Sequence, residues 1–246
     1  HAASNASPNA FADYPVEIMQ ANFIGTNHLL SYGHRYHLER FLLVSSGEIY
    51  GEGCGRIFSE DDSGYVNPMI PRSCYPSSKR ASETLCAAYS QEYGISVVVA
   101  RPCHVYGPHF TNSDNRVYAQ FIRNVILGEN ILMHSSGMQY RSWCYIIDCV
   151  SAIFHILFYG ENMQAYNIAD EKSNITIRRL AELIAEIGGK RVVLDCDQSS
   201  QQVIRQAVFN TEKLKRLGWR TLSGDMRSKL ERTITEARKF QLIKES

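Results

Sequence analysis

The sequence predicts an α/β chain in which a parallel sheet is followed by a smaller α/β lobe. Three observations carry that expectation. Residues 41–44 are a short continuous apolar run, and 95–100 are a second, interrupted only by Ser96, as strands buried on both faces of a parallel sheet are. Each run ends in polar residues: Ser45, Ser46, Gly47 and Glu48 after the first, and Arg101-Pro102, leading into Val105-Tyr106-Gly107-Pro108, after the second. Hydroxyls and charges thus gather at the carboxyl ends of strands, where open α/β sheets bind ligands. Between the runs lies a helical stretch, which makes strand, helix, strand one crossover unit. A chain of 246 residues can bury the core of such a unit and a lobe beside it.

The elements follow in order. Residues 15–35 read as a helix, with Asp13 as its cap and Val16, Met19, Phe23 and Leu30 near one inner face. Residues 52–72 hold Gly, Asp, Ser and Pro without periodicity and read as a loop over the strand ends. The helix through Tyr75 and Lys79 extends to about Tyr93 with Leu85, Ala88 and Tyr89 inward, and Gly94 stops it. Residues 109–116 are a polar loop, and 117–127 a helix with Phe121 and Val125 inward. Residues 148–159 form a helix packed back on the sheet. Residues 166–169 and 191–194 are short strands around a helix at 176–187, and 211–217 and 225–240 close the lobe. The expected division is a sheet domain at 1–108 and, from 109 to 246, mainly the lobe.

A formal charge of +1 gives no reason to invoke nucleic acid or an acidic membrane surface, and no apolar run approaches the roughly 18 residues of a membrane span. The seven cysteines, Cys54, Cys74, Cys86, Cys103, Cys144, Cys149 and Cys196, are scattered and form no C-x-x-C pair. They read as reduced thiols of a cytoplasmic protein, with no metal site.

Tyr75 and Lys79 stand four residues apart, on one helix face. A phenol of pKa about 10 becomes a base near neutrality only with about 4 kcal/mol of preferential phenolate stabilisation. A cation within reach of its oxygen supplies much of that. The same spacing is common on ordinary amphipathic helices, so other residues must decide between the two readings.

Those residues are Ser45-Ser46-x-Glu48-x-Tyr50-Gly51, Tyr75-x-x-x-Lys79, Arg101-Pro102-x-x-x-Tyr106-Gly107-Pro108, Arg141-x-Trp143-x-Tyr145-x-x-Asp148 and Tyr166-Asn167-Ile168. In this order and spacing the chain resembles the extended short-chain dehydrogenase/reductases that modify nucleotide sugars. The resemblance covers most of the chain, up to the Leu217-Gly218-Trp219 turn and a last helix. It implies an incomplete Rossmann-like, doubly wound parallel sheet with a C-terminal substrate lobe. NAD would be the cofactor, a nucleotide sugar the substrate and a homodimer the assembly. Residues 1–4 resemble the end of the family's fourth strand, and the family's glycine-rich dinucleotide turn is not found in these 246 residues. A non-catalytic sugar-nucleotide-binding or dimerisation module is therefore the alternative to an enzyme.

The resemblance also assigns roles. Tyr75 would be the base, Lys79 its cationic partner, and Ser46 a hydrogen-bond donor to the reacting oxygen. Glu48 would act at C5. Ala2, Ala3, Ser45, Tyr75, Lys79 and Pro102 would face NAD. Arg116 and Arg141 would meet the diphosphate or a substrate carboxylate with their planar forks. Asn22 would tie its helix to neighbouring strands. At two positions the chain departs from the family: Gly47 stands where 4,6-dehydratases carry an Asp, and His104, a group able to titrate, stands where an Asn is usual. The Ser-x-Glu arrangement, residues 71–75 and Asp114-x-Arg116-Val117 are nearer to the UDP-glucuronate decarboxylases. Transient C4 oxidation followed by epimerisation, dehydration or decarboxylation is the implied activity.

Overall fold

The computed structural model describes residues 1–52, 55–195, 206–222 and 224–245, so Gly53, Cys54 and Cys196 lie outside the described residues. The chain runs α1 (Pro8–Asp13), α2 (Pro15–Arg35), β1 (Arg40–Val44), β2 (Ile57–Phe58), α3 (Cys74–Tyr93), β3 (Ser96–Pro102) and β4 (His104–Tyr106). It continues through α4 (Val117–Ile126), β5 (Ile131–Met133), β6 (Tyr140–Tyr145), α5 (Ile146–Tyr159), β7 (Gln164–Ile168) and β8 (Asp170–Thr176). The last elements are α6 (Ile177–Gly188), β9 (Val192–Leu194), β10 (Gln206–Phe209), α7 (Glu212–Arg216) and α8 (Met226–Glu245). Single 3-10 turns occupy Gly47–Tyr50 and Pro71–Ser73.

The two apolar runs pair as expected. β1 lies parallel to β3 in register from Arg40 opposite Ser96 to Val44 opposite Ala100, and β3 lies parallel to β7. On the other edge of β1, the amino group of His1 donates to the Leu42 carbonyl, and Val44 N–H donates to that of His1. His1 thus lies along the free edge of β1, although residues 1–4 form no strand. Side chains alternate with period two. Phe41, Leu43, Val97 and Val99 meet Leu30 of α2 and Cys86 of α3, while Leu42, Val98, Ala100 and Ile168 meet Ala152 and Ile156 of α5. Helices therefore cover both faces, which is why these strands read as continuous apolar runs.

Several expectations are corrected. Val16, Met19 and Phe23 are 65%, 46% and 41% exposed, whereas Ile18, Asn22, Thr26 and Leu30 are buried. Small and polar side chains, not the apolar stripe, face α3, because the two helices are stitched by hydrogen bonds. Asn22 Nδ2 donates to Ser78 Oγ at 3.0 Å, and Ser82 Oγ donates to the Asn22 carbonyl at 3.0 Å. Asn22 ties helix to helix, not helix to strand. Asp13 belongs to the last turn of α1, and Tyr14, followed by Pro15, caps α2. On α3 the buried positions include Ser82, Cys86 and Ser90, while Ala88 is exposed. Gly94 ends that helix in the left-handed conformation, as expected.

The strand at 164–168, expected beside the helix at 176–187, instead extends the first sheet through β3. Residues 52–72 are not wholly loop. β2 pairs β10, and Glu52 bridges Tyr65. A second sheet has the order β2-β10-β6-β4, with β8 antiparallel to β6, and β5 pairs β9. Ile122 and Val125 of α4, Leu180 and Ile184 of α6, and Leu230 and Ile234 of α8 form the core of the lobe. α8 is anchored by charge as well: buried Lys229 Nζ lies 2.8 Å from Asp148 Oδ2 and 3.0 Å from Asp170 Oδ2. Truncating Lys229 would leave two buried carboxylates without their cation. Cys74, Cys86, Cys103, Cys144 and Cys149 are free thiols, and no described helix is long and apolar enough to cross a membrane.

Candidate active site

Tyr75 sits in the first turn of α3, its ring stacked on Phe11 at 4.5 Å and 22°. Burial pushes its phenol up to about 12; Glu48 adds to the rise, while the Ser46 hydrogen bond and the cations of Arg72 and Arg116 oppose it. Ser46 lies just beyond β1, where its hydroxyl also accepts from Glu48 N–H at 3.1 Å.

Lys79 is placed otherwise than the spacing suggested. Its Nζ donates to the Val44 carbonyl at 2.9 Å and lies 5.8 Å from the Tyr75 ring centroid. Burial holds its pKa down at about 8, against a small opposing effect of Glu83. The described side chains therefore do not bring the phenol to neutrality, because burial outweighs the cations around it.

Glu48 is exposed and takes a two-oxygen contact from Arg72 Nη2, at 2.9 and 3.0 Å. The Arg72 guanidinium lies over the Phe11 ring at 4.6 Å, so Arg72, Phe11 and Tyr75 form a continuous stack. Arg116 is held by Asp114, through Nη2 to Oδ2 at 2.6 Å, and also donates to Tyr118 Oη at 3.0 Å. Arg141, on β6, directs Nη1 to Nε2 of His104, on β4, at 2.9 Å. The pairing of these strands, with His104 opposite Trp143, brings the two together. His104 is a second correction. Burial, then the Arg141 charge, push its pKa down to about 3, so it is neutral across the physiological range.

Gly47 explains the missing acid in spatial terms. A Cβ there would lie 2.3 Å from Cζ of Phe209, on β10. Phe209 packs with Tyr50 and Phe58, and Tyr50 Oη donates to Asn167 Oδ1 at 2.6 Å. Arg101 donates to Tyr50 Oη and grips Glu83 of α3, which fixes the 3-10 turn bearing Glu48.

A dinucleotide end fits what surrounds Tyr75 and Lys79. Ser45 Oγ, just past β1, and Ser4 Oγ are buried without partners, leaving polar groups for a ligand to satisfy. Ala2 and Ala3 are small and exposed, and Pro102 ends β3. Phe11, Arg72, Asp114 and Trp143 were not singled out as site residues by sequence reasoning. Arg72, Asp114 and Trp143 lie inside the matching motifs, but no local pattern marks Phe11.

Residues 1–169 match the NAD dependent epimerase/dehydratase family. UDP-glucuronic acid decarboxylase 1 of Xenopus tropicalis is 33% identical over 222 residues, which are 89% of this chain and 52% of that protein. UDP-glucuronic acid decarboxylase 6 of Arabidopsis thaliana is 33% identical over 220 residues, 89% of this chain and 63% of the relative. The chain thus spans between half and two thirds of the length of these relatives. Among solved structures, UDP-glucose 4-epimerase of Thermotoga maritima with UDP-glucose superposes with a TM-score of 0.84 at 26% identity. It covers 97% of this chain and 76% of its own.

Proposed function

The chain belongs to the NAD-dependent epimerase/dehydratase family, and on that premise we propose that its site oxidises C4 of a nucleotide sugar transiently, with later chemistry of the decarboxylase type. The observation that carries this reading is the Tyr75 phenol, hydrogen-bonded by Ser46 and flanked by Glu48, Arg72 and Arg116. Residues 1–108 would supply mainly the cofactor side and 109–246 mainly the substrate side.

NAD, when bound, supplies the acceptor for the C4 hydride and a positive charge beside the phenol. Tyr75 Oη takes the proton of the C4 hydroxyl, and Ser46 steadies the same oxygen as it becomes a ketone. Arg72 and Arg116 oppose the rise in the phenol's pKa and so favour the phenolate that must accept that proton. Lys79, Ser45, Ser4, Ala2, Ala3 and Pro102 would border the nicotinamide riboside. Arg141 would meet the diphosphate. Decarboxylation is favoured over water elimination because Phe209 fills the space an acid at position 47 would need. A ketone β to a carboxylate loses carbon dioxide without any acid at that position. The names of the relatives support the same choice.

The expected assembly is a homodimer. Val16, Met19 and Phe23 form an exposed apolar stripe on α2, suited to packing against a second copy.

The test uses Tyr75→Phe and Glu48→Gln with UDP-glucuronate. Tyr75→Phe should lose about two to four orders of magnitude in turnover, the range of general-base catalysis. Affinity measured by calorimetry should stay within about threefold, since a group used in the transition state contributes little to ground-state binding. Glu48→Gln should form the keto-sugar more slowly without arresting it, because loss of carbon dioxide needs no C5 base. Normal turnover by Tyr75→Phe would remove the phenol from the mechanism.

A further inference from the structure

Three guanidiniums border Tyr75 and Glu48, and the protein holds them in different ways. Arg72 is paired with the carboxylate of Glu48, and Arg116 with that of Asp114. Arg141 is paired with an imidazole. We propose that His104 is a positioning residue whose neutral Nε2 fixes the Arg141 guanidinium while leaving its charge uncompensated, so that Arg141 becomes the site's receptor for the substrate diphosphate. The inference rests on the nucleotide-sugar reading above and adds to it the residue that determines where the positive charge lies.

The geometry supplies the reasons. Nη1 to Nε2 is 2.9 Å, a full hydrogen bond in which the guanidinium donates, so Nε2 carries no proton and the imidazole proton sits on Nδ1. The imidazole lies beside Trp143, ring centroids 5.3 Å apart, and the two residues are directly opposite in the β4–β6 ladder. Its position is thus set by sheet pairing and an aromatic neighbour. The charged groups acting on His104 are Arg141 and Arg116, both cations, and with burial they keep it neutral. Glu48 is the carboxylate whose charge reaches Arg141, and it is already gripped by Arg72. A carboxylate in the place of His104 would hold Arg141 equally well but cancel its charge. An apolar residue would leave the charge but remove the hold. Only a neutral acceptor does both tasks.

The experiment compares His104→Gln, His104→Glu and His104→Leu in the whole chain by calorimetry with UDP and with uridine, the ratio of the two affinities isolating the diphosphate. Gln carries a neutral acceptor at a reach similar to Nε2, so the ratio should remain within about threefold of wild type. His104→Leu should lower it by roughly ten- to a hundredfold, the worth of a hydrogen bond to a charged group. His104→Glu should lower it at least as far, although it restores an acceptor and an ion pair. Circular dichroism and thermal melts identify a variant that fails to fold, in which case Gln against Glu alone decides. Between pH 5 and 8 the wild-type contribution of His104 should not change, because the ring stays neutral. Equal ratios for Gln, Glu and Leu, or a His104→Glu protein that binds UDP as wild type does, overturn the proposal. A wild-type chain that binds UDP no better than uridine overturns the nucleotide-sugar reading, and this inference with it.

Discussion

Gly47 is the position where the structure makes a demand that can be worked out in magnitude. Its φ is not in the left-handed region, so no backbone reason requires glycine. The reason is space. An added Cβ would meet Phe209 Cζ at 2.3 Å and Cε1 at 2.8 Å, whereas carbon atoms rest at about 3.5–4.0 Å. The ring must therefore retreat by more than about 1 Å, against Tyr50 and Phe58, whose centroids lie 5.6 and 5.9 Å away in a buried cluster. Overpacking of this kind costs about 1–3 kcal/mol. For a chain of this size each kcal/mol moves the melting temperature by about 2–4 °C, so Gly47→Ala should melt about 2–12 °C lower. Phe209→Leu removes the ring atoms that the methyl would strike. In that background Gly47→Ala should cost at least about 1 kcal/mol less, a coupling of the size expected for residues in contact. Thermal and urea melts of the four proteins in this cycle measure it. If Gly47→Ala melts with wild type, or costs the same whether position 209 is Phe or Leu, steric exclusion is not what keeps glycine at 47.

Two further outcomes follow from the burial of Lys79 and the exposure of α2. The lysine is held near 8, against 10.5 for the free side chain, so between these values the unfolded chain binds a proton that the folded chain does not. Stability therefore rises with pH across that window, and the full penalty of about 3 kcal/mol applies below it. Lys79→Met should gain on wild type most at pH 7 and lose that gain by about pH 10.5; a pH-independent difference in urea midpoints would refute this. Phe23→Glu should convert a dimer to a monomer in sedimentation velocity without lowering the melting temperature of the monomer fold, whereas an unchanged sedimentation coefficient would remove α2 from the interface.

Much of this fold was legible because its central strands are buried on both faces. Residues 41–44 and 95–100 could be read as parallel strands since helices cover either side and no alternation with polar residues was needed. The α2 face was misread for the complementary reason. Periodicity marks where apolar residues lie, but the interface with α3 is built from Asn22, Ser78 and Ser82, whose burial depends on hydrogen bonds between helices. The strands of the second sheet, β2, β6, β8 and β10, are short or mixed in polarity. Their pairing joins positions as distant as Phe58 and Phe209, which no local window contains.

The site divides along the same line. Tyr75, Lys79, Ser46, Glu48 and Arg141 could be located because the motif fixes residue types at fixed intervals. Their partners could not, because each lies far along the chain. Lys79 turns to the Val44 carbonyl, 35 residues away, and Glu48 to Arg72, 24 residues away. His104 illustrates the limit most sharply. As a residue type it reads as a titrating group, yet the Arg141 cation on the next strand and the burial around both make it a fixed neutral acceptor. What a histidine does at a strand end is thus decided by its neighbour in the sheet, 37 residues away in sequence. The same pairing that removes His104 from acid–base chemistry preserves the charge on Arg141.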